Sequence, residues 1–179
     1  MNHPFSLTAV STVTNRLKDA NIHYASGGSG LLYSLGLTEQ VRDWDITTDA
    51  PIEAVVNALQ GIHWTQALSG DYPFASSYRI SILHNTLPID LIGSFAIYSE
   101  AGLCRLPSHS AAVWEQIPMG SPEIWAVAYS LMNRQDKAFK LFAYLQAHGA
   151  NHERIHQLLQ EPLPKPLQSK LLTLLPSSE

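Results

Sequence analysis

Apolar residues recur at three- and four-residue steps near the start of the chain, at Leu7, Val10, Val13, Leu17 and Ala20. That spacing lays one stripe along an amphipathic helix over residues 7–20. Ser6 or Thr8 is placed to cap it, while Val10, Thr12, Val13 and Thr14 lower its propensity through β-branching. The rhythm then shortens. Residues 21–26 predict a first strand running into Gly27-Gly28-Ser29-Gly30, and residues 31–35 are helical in character. Alternation resumes over residues 41–47, where Asp43 and Asp45 interleave with Trp44 and Ile46. A helix over residues 51–59 follows, with Thr48 or Asp49 as its cap, Pro51 in its first turn and Gly61 as its stop.

Three further strands are expected over residues 62–68, 77–84 and 87–92. In the second, Tyr78, Ile80 and Ile82 alternate against Arg79, Ser81 and Leu83. Gly70-Asp71-Tyr72-Pro73 and Asn85-Thr86 supply the turns, the latter closing a hairpin. Residues 95–109, with Gly102 and Pro107, read mostly as loop, and residues 112–117 as an edge strand. From Ser121-Pro122-Glu123, a good helix start, the pattern turns helical over residues 122–132, 134–148, 153–159 and 167–174. Prolines 162, 164 and 166 break the last two apart. The strands at 21–26, 41–47, 77–84 and 87–92 are expected to share one mixed sheet. The whole is an α/β protein, with a core over residues 1–118 and a C-terminal helical region over 119–179.

Chemistry concentrates where the first helix–strand unit meets the second strand. Two carboxylates separated by one residue project to the same face of a strand, so Asp43 and Asp45 point one way and Trp44 and Ile46 the other. Their mutual repulsion is relieved by a divalent cation held between them. Upstream, Gly27 and Gly28 provide a turn without Cβ atoms, where backbone N–H groups approach a phosphate closely. Arg42 is either a phosphate contact or a surface neighbour that moderates the acidic cluster.

A Gly-Gly/Ser turn, a short helix and then Asp-hydrophobic-Asp-hydrophobic resembles the signature of the nucleotidyltransferase superfamily related to DNA polymerase beta. Gly28-Ser29 is followed by Asp43-Trp44-Asp45-Ile46 at the matching distance. The continuation Ile46-Thr47-Thr48-Asp49-Ala50-Pro51 is similar to that of CCA-adding enzymes and poly(A) polymerases. Those enzymes carry Val-Arg-Asp after the glycines, where this chain has Leu31-Leu32-Tyr33, so the resemblance runs to the small stand-alone members. It implies a nucleotidyltransferase-type mixed sheet with helices on one face. It also implies Asp90, set in Pro88-Ile89-Asp90-Leu91-Ile92, as a third acidic residue, acting as metal ligand or general base. Asp43, Asp45 and Asp90 would then hold Mg²⁺, or Mn²⁺, in a two-metal site. Gly27, Gly28 and Ser29 would meet the triphosphate of an NTP. Arg134 and Lys137 resemble the Arg-x-x-Lys helix start whose basic residues face the phosphates in small members, although a Lys on an amphipathic helix is usually a solvated face, and Lys140 could take its place.

Composition narrows the partners. The formal net charge is −4, with 11 Lys and Arg residues and no basic block, which weighs against a long nucleic-acid substrate. The acceptor is therefore expected to be a small molecule or a protein. A single cysteine, Cys104, excludes an intrachain disulfide and suits a reducing cytosol. No signal peptide or membrane-spanning run is evident, and the oligomeric state is left open. His148, His152 and His156 lack a supporting carboxylate or thiolate for zinc, and Trp44, Trp64, Trp114 and Trp125 are most simply core. The competing reading is a catalytically retired nucleotidyltransferase fold that binds a nucleotide or a partner protein. A remnant of a tRNA nucleotidyltransferase is disfavoured, because the chain has no room for the large helical RNA-binding body.

Overall fold

A computed structural model describes residues 4–68, 71–83 and 87–176. In chain order the first half comprises α1 (Thr8–Asp19), β1 (Ala25–Gly27), α2 (Gly28–Ser34), β2 (Trp44–Thr48), α3 (Ile52–Ala58), β3 (Thr65–Ala67), β4 (Tyr78–Ile82) and β5 (Ile89–Gly93). The second half adds β6 (Ala96–Ser99), β7 (Gly102–Arg105), β8 (Ser110–Trp114), β9 (Ile117–Gly120), α4 (Pro122–Leu131), α5 (Gln135–His148), α6 (His152–Leu158) and α7 (Lys165–Leu172). Seven strands form one mixed sheet in the order β3-β4-β5-β2-β1-β9-β8, and β6 and β7 form a separate ribbon. The four strands expected to share a sheet do so.

One face of the sheet is buried and largely apolar. Tyr78, Ile80 and Ile82 of β4 are buried, as are Ile89 and Leu91 of β5 and Trp44 and Ile46 of β2. Phe5 lies 6.3 Å from Trp44, ring centre to ring centre, and the Trp44 indole N–H donates to Ser26 Oγ at 2.9 Å. The opposite face carries the half-buried positions Asp45, Arg79, Ser81, Asp90 and Ile92. Over it lies α4, whose Trp125 packs so close to Gly27 that a Cβ there would sit 1.9 Å from the indole. Ser121 caps α4 by accepting from the Ile124 N–H at 3.3 Å, with Pro122 in the first turn, as its sequence predicts. Its neighbour Glu123 is buried and accepts from the Asn151 N–H at 2.8 Å, fastening α4 to the start of α6.

Several expectations need correction. The first strand is confined to Ala25–Gly27, because Asn21 takes a left-handed turn (φ 58°) on leaving α1. Neither α1 nor α3 has a side-chain cap. Ser6 and Thr8 instead bond to each other. Thr48 donates to the His23 carbonyl, and the Asp49 carboxylate accepts from the Ser108 N–H. The stretch read as loop holds the β6–β7 ribbon, and the single edge strand is two strands, β8 and β9, joined at Glu115 and Gln116. Trp44 and Trp125 are buried, whereas Trp64 and Trp114 only pack on the rim of the core. The expected turn at Gly70, the hairpin turn at Asn85-Thr86 and the end of its first strand at His84 lie outside the described residues.

Candidate active site

The site begins where β1 ends. Gly27 precedes α2 and Gly28 takes φ +57°, a conformation that favours glycine. Space demands glycine there as well, since a Cβ on Gly28 would fall 1.7 Å from Asp45 Oδ2. The glycine turn and the acidic strand are therefore fitted to one another. Register makes the same point, because Gly27 pairs with Asp45 across the antiparallel β1–β2 ladder. Ser29, the next residue, lies with its hydroxyl 2.8 Å from the Asp43 carbonyl and 3.1 Å from Asp43 Oδ1, where it donates.

The third carboxylate arrives from the other side of β2. Strands β2 and β5 run parallel with Asp45 directly opposite Asp90. Ser81 of β4, opposite Asp90 in turn, donates to Asp90 Oδ1 at 2.6 Å. Asp43, Asp45 and Asp90 line one cavity of about 240 Å³, together with Arg79, Phe74, Phe95, Trp125 and Arg134. A second cavity of about 400 Å³ adjoins it, lined by Ser29, Thr38, Gln40, Arg42, Asp43, Arg134 and Lys137. Asp43 and Arg134 belong to both.

Burial, reinforced by the neighbouring charges of Asp43 and Asp90, pushes the Asp45 carboxyl up to about 7, against the pull of Arg134 and Lys137. Five of the expected site residues thus act on one another electrostatically. Arg134 is the N-terminal flanking residue of α5 and Lys137 lies in its first turn, so both reach the same wall. Lys140 does not join them: its ammonium donates to the Leu37 carbonyl at 3.1 Å. Arg42 is exposed on the second cavity beside Ser29.

Solved structures similar to this chain now bear on the fold. A protein from Thermotoga maritima assigned as a nucleotidyltransferase superposes with a TM-score of 0.58 at 19% identity, over 82% of this chain and 98% of that one. The antibiotic-resistance factor ANT(2″)-Ia in solution gives 0.56 at 14% identity, covering 94% of each chain. ANT(2″)-Ia in complex with adenylyl-2″-tobramycin gives 0.52 at 12% identity, over 85% of this chain and 93% of that one. The chain has a nucleotidyltransferase fold. No protein-family model matches it, and no curated protein matches it in sequence.

Within that nucleotidyltransferase fold the sequence missed several groups. Arg79, Ser76, Asp71, Phe74, Phe95 and Met132 line the carboxylate cavity. Tyr129 of α4 buries its hydroxyl without a hydrogen-bond partner among the described residues, and Asp45 and Arg134 lie close enough to shift it electrostatically. Arg79 left a trace in the sequence, as a cation on the polar side of an alternating strand, the same side as Ser81.

Proposed function

We propose that the protein transfers the NMP group of an NTP to a hydroxyl of a small molecule or protein and releases pyrophosphate. The observation that carries this reading is the parallel register setting Asp90 beside Asp45, in a cavity that shares Asp43 and Arg134 with a basic one. One cavity suits reacting oxygens and a cation; the other suits a polyphosphate.

The donor set fits Mg²⁺ or Mn²⁺ by its chemistry: three carboxylates, all hard oxygen donors, with burial, and then the charges of Asp43 and Asp90, raising the Asp45 carboxyl to about 7. Among the described residues no three acidic, His or Cys side chains are yet gathered closely enough to enclose an ion. Asp43 and Asp90 each accept a hydrogen bond from a serine hydroxyl, Ser29 and Ser81 respectively. Asp43, Asp45 and Asp90 are the residues that would hold the metal. Once bound, it would neutralise phosphate charge and lower the pKa of the acceptor hydroxyl.

The remaining work falls to the chain itself. Arg42, Arg134 and Lys137 would hold the triphosphate, with the N–H groups of Gly28 and Ser29 donating to its oxygens. In the transfer, the acceptor oxygen bonds to the α-phosphorus and the bond from that phosphorus to the bridging oxygen breaks. Pyrophosphate leaves with that electron pair, and the hydroxyl proton passes to Asp90, if it is the base, or to solvent. Most of the rate would come from holding the groups in line and from fixed charge. The division into a core over residues 1–118 and a helical region over 119–179 belongs to this reading, with β9 crossing the seam. Among the described residues no helix is long and apolar enough to cross a membrane, and a lone buried thiol, Cys104, suits a cytosolic setting.

The test is pyrophosphate release and label transfer from α-³²P NTPs in Mg²⁺ with a library of hydroxyl compounds and proteins. Transfer that is abolished by chelator and by Asp45→Asn supports the reading. Nucleotide binding with no transfer to any acceptor would favour the retired, binding-only form.

A further inference from the structure

We propose that the acceptor carries an anionic group, a carboxylate or phosphate, and that Arg79 recognises it; this rests on the nucleotidyl-transfer reading of the site. Arg79 sits on β4 opposite Ile92 of β5. It shares a face with Ser81 by strand alternation, and Ser81 bonds to Asp90. Arg79 lines the carboxylate cavity, and among the described residues its buried Nε has no hydrogen-bond partner. A buried N–H left unmatched is costly. No hydrogen bond among the described residues holds the side chain in place at that atom, and turning toward a ligand oxygen forfeits none there. The planar guanidinium fork matches the two oxygens of a carboxylate or phosphate.

Position decides which substrate that anion belongs to. The cations suited to the triphosphate, Arg42, Arg134 and Lys137, line the second cavity beside Ser29 and the glycine turn. Arg79 is absent from that wall. It lies beyond Asp90, since β5 separates β4 from β2 while β1 flanks β2 on the other side. Nucleotide and Arg79 are thus on opposite sides of Asp45. Charge agrees. With Asp43, Asp45 and Asp90 committed to the cation, the charged groups left on the acceptor side are Asp71 and Arg79, with Arg134 shared between the cavities. No surplus of carboxylates is left there to hold an amine-rich acceptor. Phe74, Phe95 and Ile92 line the same space and suit a flat or hydrocarbon body.

Three phenols of one shape test the idea: 4-hydroxyphenylacetate (anionic), tyrosol (neutral) and tyramine (cationic). Each is titrated by calorimetry into the whole protein with Mg²⁺ and a non-hydrolysable ATP analogue. Hydroxyphenylacetate should bind at least ~10-fold more tightly than tyramine, the scale of one charge-assisted hydrogen bond. Arg79→Gln should bring the ratio to about 1 and leave affinity for the analogue within about twofold, while Arg79→Lys keeps a preference for the anion. The proposal is overturned if the phenols bind alike, if tyramine binds best, or if the preference survives Arg79→Gln. It is equally overturned if Arg79→Gln weakens the analogue about tenfold, which would assign Arg79 to the nucleotide. The wild-type series requires no variant to fold. Failure of the analogue to bind in Mg²⁺ would sink nucleotidyl transfer instead, and the series repeated with Mg²⁺ alone would still read the charge preference of the Arg79 wall.

Discussion

At Asp45 burial and charge push in the same direction. Its carboxyl stands at about 7 in the fold against 3.8 when unstructured, so the fold favours the protonated form. That contribution to stability is complete below pH 3.8 and is lost as pH rises through about 7. Asp45→Asn removes the ionisation. The stability of the variant relative to wild type, measured by urea unfolding without metal, should therefore grow from pH 4 to about 7 and then level off. Activity in Mg²⁺ should fall at least ~100-fold, since one lost charge in a preorganised site has that effect. A variant that simply unfolds would make Asp45 structural. Tyr129 offers a second residue-scale test, because its buried hydroxyl has no hydrogen-bond partner among the described residues and its burial raises the phenol pKa. Tyr129→Phe should leave the unfolding free energy unchanged or raise it by ~1 kcal/mol. A loss of similar size would reveal a hydrogen bond to that hydroxyl.

Among the elements, the β8–β9 hairpin is built on an unusual turn. Glu115 and Gln116 both take positive φ, 47° and 65°, the pattern of a type I′ turn without its usual Asn or Gly. The left-handed conformation costs a side-chain-bearing residue roughly 1 kcal/mol. Gln116→Gly should recover most of that, read as a rise of roughly 1 kcal/mol in chemical denaturation, with less gained if the unfolded chain becomes more flexible. The β6–β7 ribbon is held from outside its own ladder. Ser99 donates to the Pro162 carbonyl at 2.6 Å, and the Arg105 N–H donates to Glu161 at 2.8 Å. These bonds attach the ribbon to the segment between α6 and α7. Such a ribbon depends on contacts that no local pattern announces.

For the molecule as a whole, the adjoining cavities predict that nucleotide and divalent cation bind together. Calorimetry with ATP should show affinity in Mg²⁺ that largely disappears in EDTA. The melting temperature should follow: Mg²⁺ and ATP together raise it, by linkage, while ATP with EDTA does little. Equal affinity in both conditions would mean that Asp43, Asp45 and Asp90 do not act as a metal site. Arg42, Arg134 and Lys137 line one wall together, in a chain whose formal net charge is −4.

Much of this was legible in the chain because it depends on short-range geometry. Period-two alternation alone puts Trp44 and Ile46 on one face and Asp45 on the other, for a strand has no choice of side. Ser121-Pro122 starts a helix for equally local reasons of cap and fixed φ. Resemblance, rather than periodicity, singled out Asp90, and only the parallel register of β2 and β5 sets it beside Asp45. The four-residue strands β6 and β7 are too short to show a period, and the turn at Glu115-Gln116 lacks the residues that mark a hairpin. Gly28 could be read as a turn residue, yet its second reason, the Asp45 carboxylate lying against it, exists only after distant strands have paired. The same holds for Arg79. Its place on the polar face of β4 follows from the sequence, whereas its unmatched N–H and the cavity it lines come from packing among residues far apart in the chain.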